Sequence, residues 1–434
     1  MNTKRTRRQF LGNATSAAAV GWAGAKLYAA DAPAKPGPNE TLNLALIGCG
    51  NRGRQLVREF QKVDGARVIA VCDVERSRML QARKEAGGSK VATYHDFRKL
   101  LENKDVDAVV IASTDNWHCF HSIYACQAGK DVYVEKPLGN SVAEGRAAIT
   151  AAEKYDRIVQ IGTQQRSWDH YRKAVEIIQS GRLGEISEVK VWDYFNVHPG
   201  FGSPPDCDPP ENFDWDFWLG PARAVSYNPS RHRNWRWFFD YGGAWQVRWT
   251  VHHYDIVNWA MGVKWPQTAV GCGGNLCFEP TSTEWPDTFS GICEYAPGPV
   301  AKKGFLLQVT VRNGCRREHR AHCKIFHGTE ASMILDRGGY TITSESGRPG
   351  KEESFRGRGD NHAEVFLQNV RNHTKPLADV EAGHHATNPG HLMNISWRVG
   401  RKIRFDGENE RIPDDAEANA LLTRKVRSPW SMEP

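Results

Sequence analysis

The run Leu42-Asn-Leu-Ala-Leu-Ile-Gly48-Cys-Gly50-Asn-Arg-Gly53-Arg-Gln-Leu-Val-Arg58 passes from an apolar segment through Gly-x-Gly-x-x-Gly into a helical pattern. A lone glycine triplet says little, but strand, turn and helix in this order are what the triplet needs around it. The first glycine permits the tight turn off the strand, the second lets backbone approach a pyrophosphate, and the third lets helix and strand pack closely. Free N–H groups at the helix start favour an anion. Val68–Cys72 reads as a second buried strand, and it ends at Asp73, close to where an acid holds the ribose hydroxyls of a dinucleotide. Gly48, Gly50, Asn51, Arg52, Gly53 and Asp73 are therefore read as cofactor-binding. NAD is favoured because Asp73 would repel a 2′-phosphate, while Arg76 and Arg78 pull toward NADP.

The alternation continues. Strands are expected at 42–47, 68–72, 108–112, 131–134 and 158–161, with helices at 53–60, 77–85, 97–101, 117–128 and 142–155. Strands this apolar, joined by helices, make a doubly wound parallel sheet of Rossmann type. After Gly162 the texture changes. A helix at 171–180 and alternating runs at 184–193, 291–295, 304–312, 321–327, 331–335 and 340–343 indicate an α+β domain. Its sheet is mixed and largely antiparallel, with helices on one side. Ala363, Phe366, Leu367 and Val370 share one face of a helix over 363–372. The expected organisation is a signal at 1–32, a Pro-rich linker at 33–40, a dinucleotide domain at 41–163, a substrate and oligomerisation domain at 164–411, and a tail at 412–434 that wraps the surface.

Thr6-Arg7-Arg8-Gln9-Phe10-Leu11 is a twin-arginine pattern, followed by small, mildly apolar 14–30 and an Ala30-Asp31-Ala32 cleavage site. The segment is too short and too rich in Ala and Gly for a good membrane span. An exported periplasmic protein is expected, carried folded by the twin-arginine machinery and not inserted in the membrane. Removing residues 1–32 takes away five basic residues and one acid, so the net charge falls from +7 to +3. That is no nucleic-acid footprint. The ten cysteines include no Cys-x-x-Cys; they read as buried thiols, with Cys315–Cys323 the alternative as a bridge.

Three further stretches carry chemistry. Ala112-Ser-Thr-Asp-Asn-Trp-His118 directly follows a strand, at the sheet end where ligands bind in such folds, or else simply caps a helix. Val134-Glu135-Lys136-Pro137 ends the next strand, and a lysine there can hold the oxygen at a reacting carbon. In Gly242-Gly-Ala-Trp-Gln-Val-Arg248-Trp-Thr-Val-His252-His253-Tyr-Asp255, helical spacing sets Arg248, His252 and Asp255 on one face. Adjacent His252 and His253 point different ways on a helix, so no metal is expected there, nor at His384-His385 or His319-Arg-Ala-His322-Cys323. Ten of fifteen tryptophans fall between Trp168 and Trp265. Trp192, Tyr194, His198, Trp215, Arg233, Trp235 and Trp237 are candidates to line a sugar cleft, against core packing.

Together these stretches resemble the glucose–fructose oxidoreductase/inositol dehydrogenase (Gfo/Idh/MocA) family, from about Leu42 to the end. The resemblance implies an open-faced second domain, a carbohydrate substrate, and dimers or tetramers. Glu135-Lys136-Pro137 matches the family's Glu-Lys-Pro, so Lys136 inherits the catalytic, substrate-orienting lysine and Glu135 a place beside the cofactor. His252 inherits the acid/base histidine, and Asp255 matches an Asp often found three residues later. Read from their positions, Arg248, His253, Asp255, Trp235 and Trp237 are taken as substrate-binding. Ser113, Thr114, Asn116 and His118 correspond to Thr-Pro-x-x-x-His, with Thr114 in place of the proline. Gln164 corresponds to Gly-x-Gln near the nicotinamide. Arg248 stands where the family has the Asp of Asp-x-x-x-His. A fixed cation there lowers the pKa of a nearby histidine and favours an anionic ligand such as a sugar acid.

The leading expectation is an NAD(P)-dependent oxidoreductase acting on a sugar, with His252 handling the proton, Lys136 the oxygen, and a tightly held cofactor. A redox-neutral NAD-dependent glycosidase or lyase of the same fold is the first alternative. A binder that kept the fold without the chemistry is the second.

Overall fold

The computed structural model describes residues 41–279, 281–316, 320–345, 353–357, 359 and 361–434. The expected signal, the linker and His319 lie outside the described residues. The first unit runs β1 (Leu42–Ile47), α1 (Asn51–Phe60), β2 (Ala66–Cys72), α2 (Arg76–Ala86), β3 (Ala92–Tyr94), α3 (Phe97–Leu101), β4 (Ala108–Ile111), α4 (Asp115–Gln127), β5 (Asp131–Val134), α5 (Val142–Lys154) and β6 (Val159–Ile161). The six strands are parallel, in the order β3-β2-β1-β4-β5-β6. Alternate residues feed two cores. Leu44, Leu46, Val71 and Val110 meet Leu56 and Phe60 of α1, while Ala45, Ile47, Val109 and Ile111 meet Phe120 and Ile123 of α4. Burial on both faces is why these strands read as continuous apolar runs. β3 was not anticipated; its short Ala-Thr-Tyr is an edge strand with no buried residue to mark it.

The second unit runs α6 (Asp169–Gln179), β7 (Ile186–Tyr194), α7 (Trp215–Leu219), α8 (Pro229–Arg233), α9 (Ala244–Arg248), α10 (Val251–Met261), β8 (Thr268–Gly274), β9 (Thr288–Tyr295), β10 (Phe305–Arg312), β11 (His322–Gly328), β12 (Ala331–Asp336), β13 (Gly339–Ser344), β14 (Glu353–Phe355), α11 (His362–Asn372), α12 (Val380–Val399), β15 (Ile403–Arg404) and α13 (Ala416–Ala420). Its nine strands follow the order β14-β13-β12-β11-β7-β10-β9-β8-β15, antiparallel except for β7 with β10. One face buries Val189, Val191, Leu307 and Val309 against α6, α10 and α12. The other leaves Ile292 and Leu306 exposed. α11 turns back to the first sheet, where Phe366 packs edge-on against Phe60 and Tyr133.

α12 was not expected. Its sequence holds Gly383, Pro389, Gly390 and several His and Asn, all poor for a free helix. Tertiary burial overrides that. A Cβ on Gly383 would lie 2.4 Å from the Ile161 side chain, and one on Gly390 2.7 Å from the Gln246 carbonyl. The helix thus threads between both sheets, bonding Leu138 N through Thr387 Oγ1 at 3.3 Å and the Gly139 carbonyl through His391 Nε2 at 3.1 Å. Among the described residues, no helix is long and apolar enough to cross a membrane.

The tail does cross the surface. Trp430 stacks on Phe217 and Arg427 bonds the carbonyls of Asp216 and Gly220. Cys207, Cys272 and Cys277 are exposed, so the expectation of buried thiols holds for only part of the set. Cys323 is a buried thiol, and the bridge to Cys315 does not form.

Lys324 on β11 is wholly buried, its Nζ without a hydrogen-bond partner, 4.8 Å from the Tyr171 ring. Burial brings its ammonium down from 10.5 to about 8. Below pH 8 the folded chain carries a charge that the unfolded chain solvates better, a penalty of about 3 kcal/mol. The penalty fades as the pH rises from about 8 toward 10.5. Lys324→Met is expected to raise Tm at pH 7, with a gain that shrinks toward pH 10.5. Thermal unfolding across that range checks it, and a lowered Tm at pH 7 would contradict it.

Candidate active site

The carboxyl ends of β1, β2, β4, β5 and β6 bring Gly48, Asp73, Ser113, Glu135-Lys136 and Gly162 to one edge of the parallel sheet. Strand order reverses between β1 and β4, and a ligand crevice opens at such a point. Gly48 adopts φ +93°, and a Cβ there would lie 2.5 Å from Ser113 N. A Cβ on Gly53 would lie 2.0 Å from the Gly48 carbonyl oxygen, whereas one on Gly50 meets nothing nearer than Arg78 Nη1 at 4.0 Å. The open side of Gly50 is the approach a pyrophosphate needs. No side chain caps α1 and no acid stands in its first turn, so its positive end is left for an anion. A dinucleotide therefore fits the residues present.

Gly53→Ala should disrupt the turn, at roughly 1–3 kcal/mol for overpacking, and lose copurifying dinucleotide. Gly50→Ala should keep Tm and still weaken dinucleotide binding. Cofactor content per chain and thermal unfolding of both variants test the distinction.

A cleft of about 550 Å³ runs along this edge, lined by Gly48, Gly50, Asn51, Arg52, Asp73, Ser113 and Thr114. Asp73 accepts from Cys49 N at 2.6 Å and Glu75 N at 2.8 Å. Its carboxyl is nevertheless raised by burial. The far wall comes from the second unit: Phe213, Phe217, Trp218, His232, Arg233, Trp235 and Arg236. This segment is tied down by Arg76 N to Asn212 O at 3.1 Å, Asp214 N to Val74 O at 3.2 Å, and Trp117 Nε1 to Trp218 O at 2.9 Å.

Several expected contacts fall elsewhere. His118 is buried between the ends of two strands, its Nδ1 2.7 Å from the Pro137 carbonyl and its Nε2 3.2 Å from that of Ser113, of which the neutral ring donates to one, and it does not line the cleft. Asn116 turns to the Leu219 carbonyl at 3.4 Å. Gln164 lines neither cavity, while its neighbour Gln165 lines the second. Trp235 faces the dinucleotide cleft between Arg236 and Arg248, each 4.6 Å from its ring. Trp237 packs with Phe201 and Trp245, and Trp215 with Trp218.

The expected single helical face does not form. The helix breaks at Trp249-Thr250, where the Thr250 hydroxyl donates to Asp193 Oδ2 at 2.8 Å. Arg248, at the end of α9, lines the dinucleotide cleft and pairs with Asp115, a fully buried acid at the start of α4. His252, on α10, lines a different cavity. Arg248 is therefore not the cation that disfavours protonated His252: burial does so first, then Lys136 and Arg337, holding the imidazole well below its ordinary range. Asp255 is no substrate contact either; wholly buried, it pairs with Arg166 at 2.7 Å.

The second cavity, about 370 Å³, is lined by Gln165, Tyr171, Trp249, His252, His253, Arg320, His322, Asp336 and Arg337. His253 Nε2 lies 3.1 Å from Asp193 Oδ1. Although burial opposes ionisation, His253, His322 and Thr250 hold the Asp193 carboxyl well below the usual carboxylate range.

Lys136 lines neither cavity, but its buried Nζ touches a wall residue of each. Its Nζ donates to the carbonyl of Arg248 at 3.0 Å and lies 5.8 Å from the Trp249 ring, one residue from each wall. Burial, then the Arg248 guanidinium, brings its ammonium down from 10.5 to about 7. Glu135 accepts from Arg52 Nε at 2.6 Å. Burial would raise its carboxyl, but Arg52 and Lys136 keep it below the ordinary value. Arg52 is thus spent on Glu135 and Glu59 while lining the cleft. Sequence reasoning missed Arg236, Trp249 and Arg337 as wall residues, and Asp193 as the buried acid that holds His253 and Thr250; only a polar residue closing a strand marked Asp193, and nothing local marked the others.

Comparisons with known proteins agree with this geometry. Residues 42–163 match the NAD-binding Rossmann fold of the Gfo/Idh/MocA oxidoreductase family, and residues 353–432 match its C-terminal alpha/beta domain. Inositol 2-dehydrogenase 2 of Saccharopolyspora erythraea is 34% identical over 167 residues, 38% of this chain and 47% of that protein. Glycosyl hydrolase family 109 protein 2 of Shewanella sp. (strain ANA-3) is 35% identical over 154 residues, 34% of this chain and 34% of that protein. The chain spans less than half the length of these two curated relatives. Aldose-aldose oxidoreductase from Caulobacter crescentus has the same fold, with a TM-score of 0.64 at 17% identity, covering 84% of this chain and 100% of that one. Both units of the chain thus carry a segment similar to the Gfo/Idh/MocA oxidoreductase family, its NAD-binding Rossmann fold in the first and its C-terminal alpha/beta domain in the second.

Proposed function

We propose that this protein oxidises and reduces a sugar or sugar derivative with a tightly held NAD. The observation that carries the reading is Lys136, poised near neutrality between the dinucleotide cleft and the second cavity. Bound in the cleft, the nicotinamide supplies a hydride acceptor and donor. A substrate hydroxyl in the second cavity gives its proton to neutral Lys136 Nζ, which returns it in the reverse direction. His252 stays neutral over the working pH range, and a base with so low a pKa is a weak one. Its role is accordingly to orient the hydroxyl, and the proton moves to Lys136. Asp73 favours NAD over NADP.

The wall from Asn212 to Arg236 covers the cleft and supports a resident cofactor. Such a cofactor suits export by the twin-arginine route to the periplasm. Ile292 and Leu306 on the open face support a homodimer or homotetramer.

Denaturing the exported protein should release close to one equivalent of NAD(H) per chain. No dinucleotide, with no thermal shift on adding NAD or NADP, would overturn the reading. Oxidation of a sugar should rise with pH through about 7 as Lys136 loses its proton, and reduction should fall. A profile flat from pH 6 to 8 would remove Lys136 from proton transfer.

The identity with a glycosyl hydrolase family 109 protein supports a second reading, a redox-neutral glycosidase using the same residues. Release of an aglycone from a glycoside without net NADH would favour it.

A further inference from the structure

The second cavity is polar in a particular way. Among its lining residues, Gln165 Oε1, Tyr171 Oη, His252 Nδ1 and His253 Nδ1 are buried and have no hydrogen-bond partner among the described residues. Buried polar atoms left without partners cost free energy, so a wall carrying four of them suits a ligand that brings several hydroxyls.

The charges of the cavity are unequal. Asp336 is engaged by Arg320 and by Gly338 N. Asp193 is wholly buried outside the lining and is engaged by His253 and Thr250. Arg337, exposed in the tight turn between β12 and β13, forms no ion pair with any described residue. Its guanidinium instead lies 5.2 Å from the Trp249 ring and 5.9 Å from the Trp168 ring, which hold it at the cavity wall. An arginine braced on aromatic faces, with its planar fork unused, recognises a carboxylate or phosphate through two parallel hydrogen bonds.

We infer that the substrate is a sugar carrying an anionic group, a carboxylate or a phosphate ester, and that Arg337 anchors it. This rests on the sugar-oxidoreductase reading. Lys136 and His252 meet the reacting hydroxyl, and Arg337, on the same wall as Trp249, holds the anionic end and so fixes which part of the ring faces them. Arg248, the cation expected to favour an acidic ligand, is neutralised by Asp115 and faces the other cleft.

The test is direct binding to the full, exported chain by calorimetry and by tryptophan fluorescence, which Trp249 and Trp168 report. Glucuronate is compared with glucose, galacturonate with galactose, and glucose 6-phosphate with glucose. At least one acidic sugar should bind about 10- to 100-fold more tightly than its neutral counterpart, the range for a hydrogen-bonded charge. Arg337→Gln should abolish that preference, Arg337→Lys should retain part of it, and 0.5 M salt, on the order of a few ångström of screening length, should weaken it. Neutral and acidic sugars binding alike, or a preference unchanged in Arg337→Gln, would overturn the inference. Cofactor content and sugar-dependent NADH absorbance are read on the same samples. A redox-active protein indifferent to sugar charge loses only the Arg337 proposal, and a protein without NAD(H) loses the oxidoreductase reading.

Discussion

Lys136→Met lowers the proposed hydride transfer by about 10²–10⁴-fold, the usual contribution of a positioned proton-transfer group, and leaves the dinucleotide bound. The reason lies in where the lysine sits. Its Nζ is held by the Arg248 carbonyl at 3.0 Å, buried beside a guanidinium, so its proton leaves near neutral pH. The glycine turn and Asp73 do not depend on it. Methionine fills a similar volume without a charge to desolvate, so Tm should hold or rise while turnover collapses. Single-turnover reduction of bound NAD, with whichever sugar reduces the wild type, supplies the rate, and cofactor content supplies the control. A rate within threefold of wild type would remove Lys136 from the reaction, and lost cofactor would make it a binding residue.

The second large effect falls on stability. Arg248→Ala leaves Asp115, 0% exposed, as a buried carboxylate without its ion-pair partner. Removing one member of a buried pair costs about 3–5 kcal/mol. Arg248 also stacks on Trp235, so packing is lost with the charge. Arg248→Asp sets two carboxylates together and should cost more than alanine. Asp115→Asn combined with Arg248→Ala should recover part of the loss, since the orphaned charge is gone. Chemical denaturation of the three variants decides the matter. Equal stability of Arg248→Ala and wild type would mean that the buried pair does not hold the fold together.

The contrast between these residues shows how far sequence reading reached. Glu135-Lys136-Pro137 was legible because it ends a four-residue apolar strand, and every parallel strand delivers its carboxyl end to the same edge. Gly53 was legible because the triplet's spacing encodes its own packing, with the Gly48 carbonyl 2.0 Å from where a Cβ would stand. Arg248 was placed on the wrong face. Its spacing from His252 is helical, but Thr250 bonds Asp193, fifty-seven residues earlier, and breaks the helix between them. His118, Asn116 and Asp255 were chosen by position in a motif, and all three turned out to hold the framework together, through the Pro137 carbonyl, the Leu219 carbonyl and Arg166.

By itself, then, the sequence determined the parallel sheet, the nucleotide turn and the edge at which the chemistry gathers, because each depends on periodicity and turn geometry within some thirty residues. Tertiary structure alone decided which cavity each side chain enters. The Arg248–Asp115 pair spans 133 residues, the Lys136–Arg248 bond 112, and the Trp117–Trp218 bond 101. Contacts that distant in the chain leave no local pattern. They exist because burying the two sheets against α12 brings the segments together, and the charges then pair with whatever lies within reach.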